Sequence, residues 1–177
     1  GTADSKYTSM FEEIMEEAMN ENLVADAAIA QSEADRKSMW RIRDSVDEWF
    51  RYGPVFIYDV SLGIRYMEDY VQDVKKRLEK KWPDHHCFTV GHIGDGNIHF
   101  AIHVGGDSEE EHAAVNNCVY EPLQPIGGSI SAEHGIGTEK KAYLNLSRSK
   151  NEIELMKKLK SALDPKGILN PSKIFAA

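Results

Sequence analysis

Alternation of apolar and polar positions is sharpest over residues 97–104. There Ile98, Phe100, Ile102 and Val104 fall on one side of an extended chain, and His99, Ala101 and His103 on the other. The apolar side predicts a core-facing strand, and the histidine side should look into a cleft or solvent. Residues 86–92 read as a second strand. Gly94-Asp95-Gly96-Asn97 separates the two, and glycine and asparagine tolerate the positive φ that a tight reversal needs. The pair predicts a hairpin that brings His92 near His99.

Helical periodicity marks most of the remaining chain. Over residues 9–21, Phe11, Ile14, Met15, Ala18 and Met19 form one stripe, with Ser9 and Glu12 placed as a capping box. Residues 23–30 read as a short buried strand. Ser32 can cap a helix running to about residue 52, which carries Trp40, Ile42, Val46, Trp49 and Phe50 together with Arg41 and Arg43. Gly53-Pro54 breaks it. A strand at 55–62 follows, then a helix at 64–81 with Met67, Val71, Val74 and Leu78 on its inner face.

After the hairpin, Asp107 or Ser108 caps a helix to about residue 120, and Pro122 and Pro125 end it. A short strand at 129–133 leads through Gly135 and Gly137 into a short helix at 139–145. The last helix, 150–163, points Ile153, Met156, Leu159 and Leu163 inward. The order of elements predicts an α+β fold: a mostly antiparallel sheet of about five strands with helices packed on one face, ferredoxin-like. The other sheet face should stay open to carry a site.

Composition narrows the function. With 177 residues and 41% hydrophobic content, the chain can build one domain with a real core. A net charge of −8 argues against nucleic acid or an anionic membrane as partner. No apolar run approaches the roughly 20 residues that span a bilayer. The polar, acidic start predicts no signal peptide, although a chain that begins mid-protein would hide one. Cys87 and Cys118 lack metal-ligand spacing and read as free thiols, which predicts a reducing, cytoplasmic setting.

The candidate chemistry lies in two glycine-flanked stretches. His92 and His99 flank the hairpin turn, and Glu133-His134 sits in Ser129-Ile130-Ser131-Ala132-Glu133-His134-Gly135-Ile136-Gly137. Two imidazoles and one carboxylate suit a divalent metal such as Zn, Mn or Fe and leave positions open for substrate. His134 would then be free to act as a base. The alternative is that these are separate, locally satisfied polar residues. His85, His86, His103 and His112 read as structural or surface groups. Arg41 and Arg43 are either solvated or able to grip a carboxylate bidentately.

At these residues the sequence resembles a known family. Residues 91–99, residues 131–137 and Leu163-Asp164-Pro165-Lys166-Gly167-Ile168-Leu169-Asn170-Pro171 together resemble the C-terminal domain of FAD-linked oxidases in the vanillyl-alcohol oxidase superfamily. The branch is that of D-lactate dehydrogenase, D-2-hydroxyglutarate dehydrogenase and the glycolate oxidase flavin subunit. Trp40-Arg41-Ile42-Arg43-Asp44 and Tyr58-Asp59-Val60-Ser61 are similar to the same family.

The resemblance implies that residues 1–162 form a substrate or cap domain and that 163–177 form a tail returning to an FAD-binding domain outside this chain. It implies oxidation of a D-2-hydroxy acid by hydride transfer to FAD. It gives His92, His99 and Glu133 to a divalent metal, His134 to the role of base, Arg43 to the substrate carboxylate and Asn170 to the flavin side. Two positions depart from members acting on dicarboxylates: Ile57 stands where they tend to have lysine, and Ala101 where they tend to have asparagine. Both favour a smaller or more apolar hydroxy acid. A homodimer is left open. Two competing expectations are a stand-alone metal enzyme built on the two-His-one-carboxylate set and a non-catalytic ferredoxin-like binding module.

Overall fold

A computed structural model describes residues 5–175. The chain divides into two units, one through Val46 and one from Asp47 onward.

The first unit holds helices α1 (Ser5–Asn20) and α2 (Glu33–Asp44). Helix α1 begins one turn ahead of Ser9, so Ser9 lies in the helix and the expected capping box does not form. It ends where Asn22 turns left-handed at φ 60° and the Leu23 N–H reaches back to the Ala18 carbonyl at 2.9 Å. The expected strand at 23–30 is absent. Among the described residues no second strand pairs with it, and an unpaired strand leaves its backbone groups to solvent. Leu23 is accordingly exposed. Ser32 does cap α2, accepting from the Asp35 N–H at 3.1 Å. The helix stops at Asp44, short of the expected end, because Ser45 turns its hydroxyl to the Arg41 carbonyl at 2.6 Å. A 3-10 helix, Val46–Tyr52, continues from there.

The second unit is built on three antiparallel strands, β1 (Phe56–Ser61), β2 (His86–His92) and β3 (Asn97–His103), in the order β1-β3-β2. Helix α3 (Met67–Lys81) connects β1 to β2, and α4 (Glu109–Tyr120) follows β3. Ser108 rather than Asp107 caps α4, in a reciprocal capping box with Glu111. Phe56, Tyr58 and Val60 of β1 and Ile98, Phe100 and Ile102 of β3 are buried together with Val74 and Leu78 of α3 and Val115 and Val119 of α4. One sheet face is thus the core, as the alternation predicts, and the arrangement is α+β.

A β-α-β-β-α order with β3 between β1 and β2 is most of a ferredoxin-like split β-α-β. The fourth strand, expected at 129–133, is reduced to one antiparallel bridge between Ser61 and Ser129 at the free edge of β1. Beyond it the backbone N–H groups of Ala132, Glu133 and His134 turn to the Asp59 carboxylate instead of a ladder. The sheet therefore has three strands, fewer than the sequence pattern predicts.

The other sheet face is less open than expected. His103 is buried, with Nδ1 3.0 Å from the Pro54 carbonyl. Tyr52 covers that end, its ring 4.3 Å from His86 and 5.4 Å from Phe88. The opposite end of the face holds His99 and the loop at 131–137.

Helix α5 (Leu144–Ser147) and the 3-10 turn Lys141–Tyr143 replace the single short helix expected at 139–145. Helix α6 (Lys150–Leu163) has its capping box, Ser149 with Glu152. Its inward stripe is only half realised: Ile153 and Met156 are partly covered, but Leu159 and Leu163 are exposed. Among the described residues no helix is long and apolar enough to cross a membrane. Cys87 and Cys118 are free, and burial pushes both thiols up.

Candidate active site

The hairpin places the two histidines as its alternation predicts. Four residues, 93–96, join β2 to β3. Gly91 lies so close to β3 that a Cβ there would stand 2.2 Å from the Asn97 carbonyl oxygen. His99 sits opposite Asp59 of β1 and Val90 of β2, and His92 lies one pleat further along β2 on the same face. The two imidazole rings come within 5.6 Å.

Glu133 and His134 arrive from the other side. His92 Nε2 lies 3.9 Å from Glu133 Oε1, and His99 Nε2 lies 4.0 Å from Glu133 Oε2. One ligand atom from each of the three lies within 4.8 Å of the others. Imidazole nitrogen and carboxylate oxygen are the donors a borderline divalent ion takes, so the set fits such an ion. The triangle is slightly wide for ligands at about 2.1 Å from an ion, and Glu133, half-exposed, is free to close it. The His134 ring stacks beside His99 at 6.0 Å and remains exposed and outside that trio.

The loop is held by a residue to which the sequence reading gave no role. Asp59 is fully buried. Its Oδ2 accepts from the backbone N–H of Ala132 at 3.0 Å, Glu133 at 2.9 Å and His134 at 2.8 Å, and from the Ser131 hydroxyl at 3.3 Å. Lys140, also buried, places Nζ 3.8 Å from Oδ2 and donates to the Asp59 carbonyl and to Ser131 Oγ. Burial works to raise the Asp59 carboxyl, but the His134 and Glu133 amides and the Lys140 charge outweigh it and hold it below the ordinary value. Burial pulls the Lys140 ammonium down, against the attraction of Asp59. Asp59, His99 and His134 form a second group with metal-ligand spacing; Asp59 Oδ2 is taken up by amide protons, while Oδ1 has no hydrogen-bond partner. The signal in the sequence was an aspartate at the centre of an otherwise apolar strand.

Beside this site a polar cleft of about 370 Å³ is lined by Ser61, Asp95, Asn97, Ser131, Glu133 and Arg148. The other two expected site residues are Arg43 and Asn170. Arg43 belongs to the first unit, where its guanidinium meets Asp44 at 3.1 Å and lies over the Trp40 ring. Asn170 lies in the tail with φ 47°. The tail rests on the site loop, since the Ile174 N–H donates to the Gly137 carbonyl at 2.8 Å and Lys141 Nζ to the Ser172 carbonyl at 3.3 Å.

Comparison with known proteins gives this arrangement a family. Residues 3–174 match the family described as FAD linked oxidases, C-terminal domain. A D-2-hydroxyglutarate dehydrogenase of Stutzerimonas stutzeri is 36% identical over 167 residues, 92% of this chain and 36% of that protein. The mitochondrial D-2-hydroxyglutarate dehydrogenase of Rattus norvegicus is 38% identical over 165 residues, 93% of this chain and 30% of that protein. A mitochondrial protein of Schizosaccharomyces pombe, provisionally named a D-lactate dehydrogenase, is 36% identical over 180 residues, 96% of this chain and 34% of that protein. The chain spans about a third of the length of these curated relatives. Both histidine stretches, the Asp59 strand and the tail as far as residue 174 fall inside the matched residues, and the chain belongs to the FAD linked oxidases, C-terminal domain family.

Proposed function

We propose that this chain is the substrate-side domain of an FAD-dependent oxidoreductase that converts a D-2-hydroxy acid to the 2-oxo acid. The observation that carries this reading is the convergence of His92, His99 and Glu133 beside the His134 ring, in a chain of this family. The names of the relatives, D-2-hydroxyglutarate dehydrogenase and D-lactate dehydrogenase, support the substrate class. Membership of the family speaks against a stand-alone metal enzyme and against a non-catalytic module.

The oxidation removes the hydroxyl proton and the hydride on the α-carbon, and the carboxylate is retained. FAD, held mainly by the rest of the protein, supplies the two-electron acceptor when bound. His92, His99 and Glu133 would hold a divalent ion, which would supply Lewis acidity toward the substrate hydroxyl. His134, exposed and outside the ligand trio, takes the hydroxyl proton on a ring nitrogen. Arg43 pairs with the carboxylate through its fork of N–H donors. Asn170 lies on the flavin side, and the tail at 163–177 leads toward the FAD-binding domain.

The sheet register bears on the substrate's side chain. Ile57 pairs with Ala101, and Phe88 flanks Ala101 from β2, so this row beside Asp59–His99 is apolar. It offers no cation to a second carboxylate and favours a smaller or more apolar acid. The free thiols support a reducing compartment, with the cytoplasm as the simplest choice.

The test is elemental analysis and anaerobic flavin reduction on the purified flavoprotein, with a His99→Ala variant beside it. The expected result is about one divalent ion per chain, lost in the variant, and bleaching of the flavin by D-lactate faster than by D-2-hydroxyglutarate. Flavin that stays oxidised with every D-2-hydroxy acid tried would overturn the reaction class. A metal-free wild type with full turnover would overturn the metal assignment alone.

A further inference from the structure

We infer that Asp59 is the positioning residue of this site: one carboxylate oxygen holds the Glu133–His134 loop, and the other fixes the tautomer of His99. The inference rests on the metal-and-base reading above, but it stands on two observations of its own.

The first is the division of labour between the two Asp59 oxygens. Oδ2 gathers three successive amide N–H groups, those of Ala132, Glu133 and His134. Such a cluster fixes the backbone of a ligand and of the base together. Oδ1 is buried and has no hydrogen-bond partner. A buried carboxylate oxygen without a donor is costly, so it calls for one. The facing nitrogen is His99 Nδ1, 3.9 Å away across the β1–β3 pairing. That separation is not yet a hydrogen bond, and a shift of about 1 Å closes it.

The second is the opposite edge of the same ring. His99 Nε2 looks toward Glu133 at 4.0 Å. A neutral imidazole carries its proton on one nitrogen only. Asp59 Oδ1 draws that proton to Nδ1, which leaves the Nε2 lone pair free on the ligand side. A carboxylate behind a ligating histidine sets ring orientation and raises ligand strength in this way. Lys140 completes the device. Its ammonium, buried and bonded to the Asp59 carbonyl and Ser131 Oγ, offsets the carboxylate charge beneath the site. Asp59 therefore ties His99, Glu133 and His134 into one unit while touching none of the reacting atoms.

The experiment reads the tautomer directly. Metal-free wild-type protein labelled with ¹⁵N at histidine is studied by long-range proton–nitrogen correlation at a pH where His99 is neutral. The expected result is a proton on Nδ1. A proton on Nε2 in the wild type would overturn the inference without recourse to any variant. Asp59→Asn keeps the shape and an acceptor for the loop amides, but presents an NH₂ group to Nδ1. In that variant the proton should move to Nε2, and zinc affinity, measured by competition with a chromophoric chelator, should fall about 10–100-fold. Lys140→Met, which leaves the carboxylate in place, should keep the Nδ1 proton. An Asp59→Asn protein that folds, retains the Nδ1 proton and binds zinc as the wild type does would reduce Asp59 to a structural residue. A wild type that binds no zinc would sink the metal reading, while the tautomer still decides the role of Asp59.

Discussion

Leu62 and Gly96 fasten the His92–His99 hairpin to the end of β1. The Leu62 N–H donates to the Gly96 carbonyl at 3.0 Å, and a Cβ on Gly96 would stand 2.0 Å from the Leu62 carbonyl oxygen. Gly96 also has φ +75°, a conformation that side chains rarely adopt. The turn between His92 and His99 thus depends on a bare backbone at this position.

Gly96→Ala should therefore destabilise the protein by about 2–3 kcal/mol, through strain and a backbone clash together. Gly94, in the same turn, has open space around it and no positive φ. Gly94→Ala should stay within about 0.5 kcal/mol of the wild type. Urea unfolding checks both: the midpoint should drop for Gly96→Ala with an unchanged slope, and equal midpoints would remove the Leu62 contact as a constraint.

The hairpin was the most legible part of the chain because its signals agree. Alternation, turn residues and the positions of His92 and His99 all point to one register, and that register is present. Glu133 and His134 stood out as candidate chemistry, but what brings them to the hairpin did not. Three amides of their loop are claimed by Asp59, some seventy residues earlier in the chain. No local pattern reports a side chain competing with a β-ladder over such a separation, so 129–133 read as a strand. Lys140 was illegible for a related reason, since a lone lysine in a polar stretch looks solvated until its buried partner is known. The strand expected at 23–30 and the inward Leu159 and Leu163 show another limit. Periodicity reveals that a segment has an apolar side, but not that anything in the chain covers it.

In the proposed flavoprotein, His134→Ala should lower kcat by about 10²-fold or more, as loss of a general base does. Arg43→Ala should mainly raise KM if the guanidinium binds the carboxylate equally in the ground and transition states. Steady-state kinetics on both variants separate the roles. A near-normal kcat removes His134 from proton transfer, and an unchanged KM returns Arg43 to its local pairing with Asp44.

A buried polar pair beneath the site offers a stability test independent of catalysis. Tyr58 donates its hydroxyl proton to Asn116 Oδ1 at 2.8 Å, and Asn116 Nδ2 donates to the Tyr143 hydroxyl at 3.3 Å. Tyr58→Phe leaves the Asn116 oxygen without a donor in the core, at a cost of about 1–3 kcal/mol. Adding Asn116→Leu removes the orphaned group, so the double variant should recover part of that loss. Denaturant midpoints for the four proteins of the cycle give the coupling; strict additivity would show that the hydrogen bond contributes nothing.

The tail should loosen in acid through Asp164. Its carboxylate pairs with Lys160 and accepts from the Ile168 N–H at 3.0 Å and the Leu169 N–H at 3.0 Å. The Lys160 contact comes first among the causes that hold it below the ordinary value; burial opposes, and the two amides assist. A carboxyl whose folded value is depressed binds protons less readily folded than unfolded. Its stabilising contribution is complete above the unfolded value, about 3.9, and is lost as pH falls through the lower folded value. Hydrogen exchange at the Ile168 and Leu169 amides should thus show constant protection, after correction for intrinsic rates, from neutral pH down to about 4 and a decline below it. Asp164→Asn should show weaker protection across the whole range with no acid step. A decline that begins near neutral pH, or an acid step that survives in the variant, would assign the transition to another group.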